Sequence, residues 1–72
     1  MITRESLQNL RRREHNARTK ASQDREQVLN EANREGRENL SEEQEMNFRS
    51  LSLEVRVRDG RIQLLDELLG TL

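Results

Sequence analysis

The sequence predicts an all-α fold: two long helices in an antiparallel helical hairpin of the coiled-coil kind, oligomerising through further helix contacts. Three observations carry this expectation. Apolar residues recur at spacings of three, four and seven along most of the chain, a helix-capping box stands near its middle, and the composition leaves association as the main way to stabilise so small a domain.

Seventy-two residues make at most one small domain, and chains of this size bury little apolar surface alone. Cysteine is absent, which removes disulfides and thiolate metal sites and is consistent with a reducing compartment. Charged residues make up 38% against 31% hydrophobic, with Phe48 the single aromatic and no proline, a balance near the border between disorder and long amphipathic helix. Periodicity decides for helix. No apolar run approaches the roughly 18 residues of a membrane span, and the opening MITRESLQNLRRR lacks the apolar core of a secretory signal, so a soluble, intracellular chain with no membrane partner is expected.

The first helix is expected over about residues 4–36, with Thr3 as its N-cap. Leu7, Leu10, Ala17, Ala21, Val28 and Ala32 form one stripe, spanning an arc of roughly 80° at about 100° per residue, with Glu14 and Arg25 interrupting it. That narrow, alanine-rich seam suits one partner helix. Gly36 supplies the stop. Charge is uneven, with six Arg/Lys against two Glu in residues 1–22, then seven against twelve Asp/Glu. A folded hairpin would therefore have a basic first helix and an acidic tip.

A turn over residues 37–41 leads into the second helix, expected over about 42–69. Ser41 and Gln44 form a capping box, and Glu42, Glu43 and Glu45 fill the first turn, where the helix dipole favours acids. Gly70 is its natural stop. At 1.5 Å per residue the helices would be on the order of 48 and 42 Å long, and the short connection makes them antiparallel neighbours.

The second helix is apolar on two sides. Phe48, Leu51, Val55, Ile62, Leu65, Leu69 and Leu72 keep a three-four heptad interrupted only by Arg58. Met46, Leu53, Val57, Leu64 and Leu68 make a second stripe roughly opposite. The thin seam of the first helix cannot cover both, so the second stripe is expected to meet another subunit.

The stretch LSLEVRVRDGRIQLL from Leu51 to Leu65 also reads as a β-hairpin, since apolar residues alternate into Asp59-Gly60. Pairing fails on inspection. A two-residue turn there sets Arg58 against Arg61, and the pattern breaks where Leu65 opposes Glu54 and Asp66 opposes Leu53. Helix carries a cost of about 1 kcal/mol for an interior Gly60, which seam burial outweighs.

Catalysis is not expected: two helices with one histidine, no cysteine and almost no loop make no pocket of convergent groups. No catalytic residue, cofactor or metal ligand is assigned. His15, beside Glu14 and Arg11 to Arg13, reads as a solvated helix-face residue, and Glu31/Glu35 and Glu38/Glu42 read as solvated faces rather than a metal site. The basic segment from Arg11 to Lys20 has no aromatic beside it and an acidic remainder of chain, so nucleic acid is not expected as a partner and a solvated or intersubunit basic face is the expected role. Phe48 is expected to be a packing anchor.

The order of pieces resembles one family. SLQNLRRREHNA, then NEANREGRENLSEEQEMNFRSLSLEV and RDGRIQLLDELL, is similar to the N-terminal scaffolding region, or delta domain, of tailed-phage major capsid proteins of the Hong Kong 97 type. The likeness spans nearly the whole chain. Gly36 and Arg37 match the family's turn, Leu40 to Gln44 its cap, and Phe48, Leu51, Ile62 and Leu65 its heptad core, while Arg58 and Gly60 depart from it. The resemblance implies a segment on the inside of an immature shell, in the host cytoplasm, that binds copies of itself and capsid shell subunits, guides procapsid assembly and is removed by a maturation protease. It also implies either a fragment of a capsid precursor or a separate scaffold. The alternative is a coiled-coil adaptor that binds another protein's helix.

Overall fold

The computed structural model describes residues 1–72, folded as two helices, α1 (Arg4–Arg34) and α2 (Glu42–Thr71). They lie antiparallel in a rod of 52 × 16 × 14 Å. The segment from Leu51 to Leu65 is helical throughout, so the double-stripe reading of it holds and the β-hairpin reading does not.

Capping fixes three of the four helix ends. Thr3 Oγ1 accepts the Ser6 backbone N–H at 3.1 Å, and Ser6 Oγ accepts the Thr3 N–H at 3.0 Å, a reciprocal box in which serine stands at the usual Glu/Gln place. The far end of α1 stops at Arg34, two residues short of the expected Gly36. Gly36 takes φ +70° and turns the chain out of the helix, its N–H donating to Asn33 O at 3.1 Å while the Arg37 N–H donates to Ala32 O at 3.0 Å. This paired closure satisfies two carbonyls the helix end leaves free, and it needs the left-handed conformation that glycine adopts without strain.

At the start of α2, the Gln44 N–H donates to Ser41 Oγ at 3.2 Å and the Ser41 N–H to Gln44 Oε1 at 3.0 Å. Gln44 Nε2 also reaches Glu35 Oε1 at 3.5 Å, tying the cap of one helix to the end of the other. α2 continues past the expected stop at Gly70 to Thr71. Gly70 has no left-handed backbone, and the Thr71 hydroxyl donates to Leu68 O at 2.8 Å, so the last turn is kept.

The core is thin. Leu7, Ala21 and Ala32 of α1 and Val55 and Leu65 of α2 are buried, and Ala17, Val28, Phe48, Leu51, Ile62 and Leu69 are half-buried beside them. Two members of the expected seams lie outside it. Leu10 is exposed because it stands on the edge of the α1 stripe and no third helix covers that edge; Leu72 is exposed because α1 begins opposite Leu69 and leaves nothing across from the final residue.

Candidate functional site: the outer face of the second helix

Which face of α2 is left free follows from the register in which α1 grips the other. Arg4, Arg11, Arg18 and Arg25 stand seven residues apart along α1, and each reaches across the interface. Arg4 Nη2 donates to Leu69 O at 3.4 Å, Arg11 Nε to Asp66, Arg18 Nε to Asp59 Oδ1 at 2.9 Å and Arg25 Nη1 to Ser52 Oγ at 3.4 Å. From Arg11 onward, each step of seven along α1 is matched by a step of seven back along α2, as in an antiparallel pair held in one register by its flanking charges. Arg25 also lays its guanidinium over the Phe48 ring, 5.9 Å from the centroid. The side chains of the Arg11–Asp66 and Arg18–Asp59 pairs are 38–52% exposed, so solvent screens both pairs. Their effect is on alignment more than on stability.

The two polar residues that interrupt the inner stripes meet each other. Arg58 Nη1 donates to Glu14 Oε2 at 2.9 Å, and Arg61 Nη1 donates to Glu14 Oε1 at 3.4 Å. Arg58 Nη2 also lies 3.7 Å from Glu54 Oε1. The Glu14 side chain is only 16% exposed, yet the hydrogen bond from Arg58 holds its carboxyl below the usual carboxylate range, outweighing the opposing effect of burial, with the charges of Arg58 and Arg61 adding to it. Arg58 is raised in turn by the same hydrogen bond. No buried side-chain nitrogen or oxygen is left without a partner.

This pairing was not visible in the stripes taken one helix at a time. The signal for it was present as the seven-residue spacing of Arg4, Arg11, Arg18 and Arg25 and of Ser52, Asp59 and Asp66. The Arg11 to Lys20 segment is thereby divided: Arg11 and Arg18 face α2, Lys20 pairs with Asp24 at 3.1 Å, and Arg12 and Arg13 are exposed. His15 is exposed beside Gln8, Arg11 and Arg12. A groove between the helices near the tip is lined by Asp24, Gln27, Val28, Glu31, Asn47, Ser50 and Leu51. No group of three or more His, Cys, Asp or Glu residues is placed to hold a metal ion, and no helix is long and apolar enough to cross a membrane.

With α1 on one side, the opposite side of α2 is bare. Met46 (72% exposed), Leu53 (58%), Val57 (44%), Leu64 (55%) and Leu68 (41%) run in one exposed line. At 1.5 Å per residue the line is about 33 Å long. Gly60 falls within it, and an added Cβ there would meet nothing within 4 Å. Asn47, Glu54 and Arg61 flank the line on one side and Arg49, Arg56 and Gln63 on the other. An apolar line of this length, rimmed by charge, is the arrangement by which helices dock on one another. Of the residues expected to pack helices, Val55 and Leu65 are enclosed, Leu7 joins them from α1, and the whole second stripe is placed together and uncovered.

Compared with protein-family models, with curated proteins and with solved structures, the chain matches none of them. The fold and the surface therefore carry the functional reading.

Proposed function

We propose that this chain is a helix-pairing adaptor: α1 and the inner face of α2 build a rigid hairpin, and the outer face of α2 docks a further helix. The observation that supports this most is the uncovered line from Met46 to Leu68 on a helix whose other side already has its partner. A heptad line on a preformed helix binds without first ordering its own backbone, so modest burial yields usable affinity. Fluorescence anisotropy tests it with a labelled synthetic helix carrying leucine at both seam positions of each heptad. Binding to the hairpin, and loss of binding in the L53E/L64E variant with helix content unchanged, is expected. No binding, or binding indifferent to L53E/L64E, overturns the proposal.

A second reading specialises the first. The order of turn, cap and heptad that resembles the delta domain of phage capsid proteins supports a scaffolding role, in which outer faces bring shell subunits together during procapsid assembly before a maturation protease removes the segment. Many weak helix contacts acting together suit a scaffold that must correct errors and then leave. Co-expression with a capsid shell domain separates the readings: the scaffold reading expects L53E/L64E to disturb shell assembly, and the adaptor reading expects no effect on it.

A further inference from the structure

We infer that the helix docked on the outer face is α2 of a second copy of this chain, running antiparallel, with Leu53 opposite Leu64 and Val57 opposite Gly60 of the second copy. This rests on the outer face being a docking surface, as proposed above, and names its occupant. Charge complementarity and the position of one glycine select both the direction and the register.

Taken as a coiled-coil seam, the outer face places Val57 and Leu64 in one class of core position and Leu53 and Gly60 in the other. An antiparallel pair alternates the two classes across the interface. Val57 then packs over the bare backbone of Gly60, where an added Cβ has open space around it in the single chain, and the two leucines oppose each other on either side. In a parallel pair Gly60 faces Gly60 and leaves a gap in the middle of the seam.

The flanking charges agree. In the antiparallel register named, Glu54 of each copy lies beside Arg61 of the other, Arg56 lies beside the neutral Gln63, and no like charges meet. Sliding by one heptad in one direction brings Glu54 onto Glu54 and Arg56 onto Arg56; sliding the other way brings Arg61 onto Arg61. The parallel arrangement sets Arg56 against Arg61 on both sides, a repulsion that offsets its Arg49–Glu54 attraction. Among these arrangements the register named is free of repulsion. Within the hairpin Glu54 and Arg61 are weakly held, Glu54 3.7 Å from Arg58 and Arg61 3.4 Å from Glu14, and the Arg61 side chain is 56% exposed, so both can turn toward a second copy.

The test is sedimentation equilibrium on the full chain, on E54R, on R61E, and on an equimolar mixture of the two variants, with circular dichroism confirming helix content. The wild type is expected to dimerise. Each variant alone sets like charges together twice and is expected to dimerise about tenfold more weakly, and the mixture to recover wild-type affinity as a heterodimer. A parallel pair reverses one sign: R61E would then relieve Arg56 and dimerise more tightly than wild type, which overturns the inference.

Because R61E also brings a second carboxylate near Glu14, cysteine placement gives an independent measurement. The chain has no cysteine of its own. V57C mixed with G60C should oxidise to the mixed disulfide in preference to either homodimer. Random pairing alone gives the mixed species twice the yield of each homodimer, so a one-to-two-to-one outcome, or an excess of either homodimer, overturns the register. A wild type that stays monomeric at every concentration while still binding the synthetic helix overturns the second copy as occupant and leaves the docking surface standing; failure of both removes the surface as well.

Discussion

Leu64 and Leu65 are consecutive and chemically identical, yet Leu64 is 55% exposed and Leu65 is 8% exposed. Between them they mark the two sides of α2. Leu65 belongs to the face that makes the hairpin, where α1 excludes water; Leu64 belongs to the face the hairpin leaves open. One helix therefore presents two different sides, one enclosed by the fold and one left uncovered, and the proposed recognition falls to the second. A step of about 100° around the axis is enough to pass from one to the other.

The largest expected effect comes from truncating the inner side. Leu65→Ala should cost about 2–4 kcal/mol, enough to abolish a cooperative thermal transition in so thin a core, whereas Leu64→Ala in dilute solution should change stability by less than about 0.5 kcal/mol. Thermal melts followed by circular dichroism at low concentration compare the pair. Similar losses in both variants would erase the division between the faces.

Next in size is the ion pair inside the seam. Glu14→Leu leaves Arg58 in the seam with only the more distant Glu54 carboxylate, 3.7 Å away, and should destabilise the hairpin, and adding Arg58→Leu should recover most of the loss, since two leucines can pack where a charged pair had to be matched. Urea titration of the single and double variants reads this directly. Acid acts on the same pair. Because the folded-state pKa of Glu14 lies below its unfolded value, its contribution is present above the ordinary carboxylate range of about 4.3 and is lost as pH falls through the folded value. A melting temperature that drops on acidification in the wild type but less in Glu14→Leu/Arg58→Leu is expected.

Smallest are the glycines, and their signs differ. Gly36→Ala should cost about 1 kcal/mol, because φ +70° strains a residue that carries a Cβ. Gly60→Ala should add up to about 1 kcal/mol to the hairpin, since it removes a helix-interior glycine from open space. The same change should weaken association if Val57 of another copy packs there, so melts at low concentration and sedimentation at high concentration should move in opposite directions.

What the chain discloses before folding divides along the same lines. The Ser41–Gln44 box, the left-handed Gly36 and the two stripes of α2 are properties of single segments, each set by residues three, four or seven apart, and all of them stand in the structure. The Thr3–Ser6 box is equally local but less plain, since serine replaces the longer Glu or Gln. What the apolar stripes, taken one helix at a time, could not supply was register. The stripe of α1 locates Glu14 as an interruption, and the heptad of α2 does the same for Arg58; only the alignment of both helices shows that the interruptions answer each other. Asp59 likewise reads as half of a turn signal until Arg18 is placed opposite it. Leu10 and Leu72 fit their stripes, but exposure at an edge or an end depends on where the neighbouring helix lies.

The most direct measurement is one experiment on the two neighbouring leucines: sedimentation velocity and circular dichroism recorded together on Leu64→Asp and Leu65→Asp across a range of concentrations. Leu65→Asp should lose helix content at every concentration. Leu64→Asp should keep it and lose only the association expected of the wild type. Equal unfolding in both, or a Leu65→Asp chain that remains helical while Leu64→Asp does not, would contradict the assignment of fold to one face of α2 and recognition to the other.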